Sequence, residues 1–90
     1  MPRYVIEREI PGAGRMTPDE LRKASAHSNG VLENMGPDIE WVLSYVAGDK
    51  TYCIYDAPSE DRIQEHARLS GFPANKVTPL AAVIGPQTGK

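Results

Sequence analysis

"IEWVLSYVAGDKTYCIYDAP", residues Ile39–Pro58, decides the fold. Two runs rich in β-branched and aromatic residues flank Gly48-Asp49, a Gly-X pair suited to a type II′ turn. The stretch predicts a hairpin with strands near Ile39–Val46 and Thr51–Asp56. With that turn, Val46 pairs with Thr51, Ser44 with Cys53 and Val42 with Tyr55, and paired residues share a face. One face then carries Trp41, Leu43, Tyr45, Tyr52 and Ile54. The other carries Glu40, Val42, Ser44, Val46, Thr51, Cys53 and Tyr55. The first set is the more apolar and is expected to lie under helices, which leaves the half-polar set as the free face.

Outward from the hairpin, each flank supplies one more strand and one helix. "RYVIEREI" (Arg3–Ile10) is rich in strand formers and is stopped by "PGAG". Alternation sends Tyr4 and Ile6 to the core and Val5, Glu7 and Glu9 to the free face. A helix over Pro18–Met35 follows from Thr17 as cap, Pro18 in the first turn and Glu20 completing a capping box. Leu21, Ala24, Ser28, Val31, Leu32 and Met35 recur at helical spacing. Gly30 inside that helix implies a close partner or a kink. Beyond the hairpin, "SEDRIQEHARLSG" predicts a helix over Glu60–Ser70, with Ser59 as cap and Gly71 past its end. A last strand is expected near Val77–Ile84, at a sheet edge because Pro79 lacks a backbone donor.

The order β-α-β-β-α-β predicts an α+β, ferredoxin-like sandwich: a four-stranded antiparallel sheet with both helices on one face. Residues 1–85 form one domain and residues 86–90 a flexible tail.

Composition narrows the partners. Ninety residues carry a formal charge of −2, with cations and acids interspersed rather than gathered into a basic stripe. Neither nucleic acid nor an anionic membrane is indicated. No apolar run reaches the roughly 20 residues of a bilayer span, and "MPRYVIERE" has charges where a leader needs apolar residues. A single cysteine, Cys53, permits no internal disulfide and no zinc motif built on paired cysteines. A cytoplasmic protein is expected. A chain this small gains by burying its free sheet face, so a homodimer is expected, packed through Val42, Val46, Cys53 and Tyr55.

"WVLSYVAGDKTYCIYDAP", followed by "EDRIQEHARLSGFPANKV" and preceded by "GVLENMGPDIEW", resembles a family of short bacterial domains of unknown function. That family includes a nickel-binding, nickel-responsive protein. The resemblance runs from "RYVIERE" to "AAVIG". It implies a dimeric ferredoxin-like sandwich, with nickel or another divalent transition metal as the cofactor to look for. The chain departs from the nickel branch in its first strand, where Glu7, Arg8 and Glu9 stand in place of histidines.

The residues that could carry metal chemistry are few. His66 shares a helical face with Ile63, Ala67 and Ser70, directed at the sheet. The bland reading, a half-buried histidine bonded to a carbonyl or an acid, outweighs a ligand role. If a metal binds, His66 is the first ligand, with Glu65 or the strand pair Glu7 and Glu9 as hard co-ligands. His27 joins only if its helix turns toward the second. Cys53 reads as a small buried hydrophobe, on the opposite side of the sheet from His66. Two functions remain: a small dimeric protein binding a metal or small ligand without turnover, or a cofactor-independent enzyme of monooxygenase or isomerase type. The second rests on fold analogy alone.

Overall fold

Gly48 takes φ +59 in the computed structural model, which describes residues 1–90, and Asp49 keeps a negative φ, as a type II′ turn demands. The turn joins β2 (Glu40–Ala47) to β3 (Lys50–Asp56). β1 (Arg3–Glu9) pairs with the far side of β3, and β4 (Lys76–Pro79) pairs with β1. The sheet order is β2-β3-β1-β4, all antiparallel, the ferredoxin-like arrangement with β4 at an edge.

Both helices match the sequence reading: α1 covers Pro18–Met35 and α2 Glu60–Ser70. At the start of α1 the Thr17 hydroxyl accepts from the Glu20 N–H (3.2 Å), and the Glu20 carboxylate accepts from the Thr17 N–H (2.9 Å). Two donors that the helix would leave bare are thereby satisfied. Ser59 makes no such side-chain bond, whereas Gly71 ends α2 at φ +80 with its N–H on the Ala67 carbonyl. Gly30 has no close partner: no atom lies within 4 Å of where its Cβ would sit. Close approach occurs instead at Gly14, where a Cβ would meet the Gly48 nitrogen at 2.9 Å.

Two expectations are corrected. β4 stops at Pro79 instead of reaching Ile84. The Leu80 N–H still donates to the Arg3 carbonyl (2.7 Å), but β1 begins at Arg3 and offers no partner beyond it, and Val83 and Ile84 stand exposed. Residues 86–90 carry a 3-10 turn at Pro86–Gly89. The second correction concerns the faces. The pairs Val46–Thr51 and Ser44–Cys53 are as expected, but a β-bulge at Val42 brings Trp41, not Val42, opposite Tyr55. Pairing of Tyr4 with Tyr55 and Ile6 with Cys53 then puts the half-polar set on the helix side. Tyr4, Ile6, Cys53, Tyr55 and Ile63 form the buried core, with Trp41 packed against it. The open face carries Val5, Leu43, Tyr45, Tyr52 and Ile54, so the buried Cys53 and Tyr55 are not available for a sheet-to-sheet contact. The parity is set by the β1–β3 register, which the hairpin alone does not specify.

Candidate functional site

Beneath the helices, the half-polar strand residues face a space that is not filled. A cavity of about 300 Å³ separates the first turns of α1 from the sheet. Leu21, Ala24 and Ser28 wall it from the helix, and Trp41, Ser44, Thr51, Cys53 and Tyr55 from the strands. The Trp41 indole donates to the Ser44 hydroxyl at 2.8 Å, which fixes the ring against that wall. Val46, also in the wall, is 40 % exposed, so the cavity reaches the surface at the β2 edge.

Arg8 closes the inner end. Continuing the alternation of Tyr4 and Ile6 puts its side chain on the helix side, where it is only 2 % exposed. Nη1 donates to the carbonyls of Phe72 (3.3 Å) and Pro73 (2.8 Å). The guanidinium carbon lies 6.0 Å from the Tyr55 ring centre and 5.9 Å from that of Phe72, a spacing at which a cation is attracted to a ring face. Nη2 has no hydrogen-bond partner, and no ion pair involves Arg8.

His66 sits behind this wall rather than in it. Its ring is 1 % exposed, tilted against Tyr55 at 5.3 Å between centres, with Nε2 3.2 Å from the Ser28 hydroxyl. Nδ1 is buried without a partner. Burial, and then the charge of Arg8, push its pKa down to about 4, so the ring is neutral at pH 7. Cys53 and His66 therefore share the helix side of the sheet, contrary to the opposite placement expected from sequence. Burial likewise raises the Tyr55 phenol above its ordinary range and keeps it protonated.

The other candidate ligands already have partners. His27 Nε2 donates to the Ser70 carbonyl at 2.8 Å and its ring stands edge-on to Phe72. Glu65 accepts from Arg62 Nη1 at 3.0 Å, while the same guanidinium grips Asp38. Glu7 lies on the open sheet face, 3.6 Å from the Lys50 ammonium, and Glu9 shares that face at the strand's exposed end. The structure brings the two histidines onto one layer and sends the two strand carboxylates to the other. No three His, Cys, Asp or Glu side chains gather where they could hold a metal. With both histidines engaged through Nε2, these residues do not fit a nickel site within one chain.

Sequence reasoning missed Arg8 and the cavity. The signal for Arg8 was present, since period-2 alternation from Tyr4 and Ile6 ends on it. The cavity has no comparable signature, apart from hydroxyl and thiol groups at helix-facing strand positions.

A family model described as nickel responsive protein SCO4226-like matches residues 4–80. No curated protein matches the chain. The crystal structure of SCO4226 from Streptomyces coelicolor A3(2) is similar, with a TM-score of 0.69 at 21 % identity, covering 89 % of this chain and 99 % of that one. At that identity the likeness speaks for the fold.

Proposed function

The chain belongs to the SCO4226-like nickel-responsive family, and from that premise we propose a small binding protein that holds a compact organic ligand between α1 and the sheet without turnover. The cavity carries this reading. Its 300 Å³ lies at the lower end of the ~300–1,000 Å³ found for small-molecule pockets, and its wall is apolar with a few convergent polar groups. Turnover is disfavoured because burial moves the Tyr55 phenol of the wall further from neutral and keeps it protonated. We place the protein in the cytoplasm, where the free Cys53 thiol stays reduced. No helix is long and apolar enough to cross a membrane.

Native mass spectrometry of tag-free protein, purified without chelators, tests the proposal. An organic molecule retained at unit stoichiometry, and lost in Ala24→Phe, supports it. A melting temperature that no small apolar or amphipathic compound raises, with nothing retained, sinks it.

A second reading takes the family's description literally and adds nickel, with His66 and His27 as ligands and Glu65, Glu7 or Glu9 as co-ligands. Responsiveness is not binding, and both histidines would have to leave their partners. Calorimetric nickel titration of wild type beside His66→Ala discriminates. Tight binding abolished by the substitution favours nickel; equal heats in the two assign His66 to the structure.

A further inference from the structure

A buried guanidinium with no carboxylate beside it is an unfinished ion pair. Arg8 is 2 % exposed, two carbonyls satisfy Nη1, Nη2 is buried without a partner, and the residue lines the cavity. Removing a full positive charge from water is costly unless an opposite charge or a complete set of acceptors replaces the water. Two carbonyls and two ring faces replace it only in part. Neighbouring groups do not help: His66 is neutral at pH 7, and Lys50 rather than Arg8 holds Glu7 on the far side of the sheet. Toward the mouth, the wall is apolar and aromatic, with Leu21, Ala24 and Trp41.

We propose that the cavity's ligand is an organic carboxylate, its apolar body lying along α1 and Trp41 and its head group paired with Arg8. The proposal deepens the binding reading above and rests on it. A planar guanidinium offers parallel N–H donors to a carboxylate, the geometry in which such pairs are strongest. Thr51 pairs with Arg8 across β1 and β3 and lines the same wall, so its hydroxyl is the neighbouring group that can add a hydrogen bond to the head group. The ligand supplies the counter-charge that the chain itself withholds, so occupancy also stabilises the fold by mass action.

Octanoate and its neutral counterpart octan-1-ol are the probes, titrated into wild type and Arg8→Met. Calorimetry and the fluorescence of Trp41, the single tryptophan, give the readout. Wild type is expected to bind octanoate about tenfold or more tightly than octan-1-ol, the worth of one charge-assisted pair. Arg8→Met is expected to keep octan-1-ol and lose the preference. Equal affinity for the two probes in wild type overturns the head-group assignment while leaving the cavity as a binding site, and needs no variant. A preference that survives in Arg8→Met overturns it as well. Binding of neither probe overturns the cavity reading itself, and this inference with it.

Discussion

His66 is neutral in the folded protein because it is buried beside Arg8, and this gives stability a pH dependence with a definite sign. Its pKa falls from the ordinary 6.5 to about 4 on folding. Between those values the unfolded chain binds the proton that the native ring refuses, so acid favours unfolding. The contribution is complete above about pH 6.5 and is lost progressively toward pH 4. At about 1.4 kcal/mol per unit, wild type should lose about 2 kcal/mol between pH 6.5 and 5, measured by denaturant unfolding. His66→Gln should lack that loss. The carboxylates whose pKa is lowered, Asp38, Asp56 and Glu20, are common to wild type and His66→Gln, so what they contribute near pH 5 cancels in the difference. A wild-type slope matching that of the variant would mean that the ring charges in place. That His66 points at the sheet was legible from its place beside Ile63, Ala67 and Ser70, all of them buried. Its partners were not legible, because Ser28 and Arg8 lie 38 and 58 residues away in sequence and reach it only through the packing of α1 and β1. Arg8 is the sharper lesson: it stands between two exposed-face glutamates and reads as a solvated charge until the strand's alternation is followed to its end.

At the scale of elements, the boundaries of α1 and α2 were legible because capping and periodicity are local. The sides of the sheet were not, because they depend on how β1 meets β3 and on a bulge of one residue. Two glycines put this distinction to the test. Gly30, on an exposed turn of α1 with empty space around it, carries the entropic cost of glycine with no structural return. Gly30→Ala should stabilise the protein by about 0.5–1 kcal/mol, seen as a higher denaturation midpoint with an unchanged slope. Gly14 is the opposite case. Its N–H donates to the Gly48 carbonyl at 2.7 Å, and a methyl group there would press on the Gly48 backbone, which has no flexible end to yield. Gly14→Ala should destabilise by about 1–3 kcal/mol by parting the loop after β1 from the hairpin turn. Equal effects of the two substitutions would show that the contact between those loops is not part of the folded state in solution.

The whole molecule exposes more surface than a chain of its size should. A monomer of 9.9 kDa is expected to expose about 5,200 Å², whereas this one exposes 5838 Å², with 13 of 90 residues buried. Part of the apolar share lies on the helix-free sheet face, where Tyr45 is 62 % and Leu43 41 % exposed beside the half-buried Ile54 and Val5. Contiguous apolar surface of this kind marks an interface more often than a solvated wall. The homodimer expected from sequence is therefore kept as a proposal, but moved to the other set of residues: Leu43, Tyr45, Tyr52 and Ile54 in place of Cys53 and Tyr55. A two-fold axis through the face would let the acids Glu7 and Glu9 of one copy meet Lys50 and Lys76 of the other, since these charges lie along the same surface. Light scattering of wild type at micromolar concentration should give twice the monomer mass. Tyr45→Glu, which places a charge in the middle of the contact, should give the monomer mass with an unchanged circular dichroism spectrum. Val46→Glu, on the helix side at the cavity rim, should leave the dimer intact and weaken ligand binding instead. A monomeric wild type removes the dimer altogether. Dissociation by Val46→Glu but not by Tyr45→Glu would return the interface to the face first read from the hairpin.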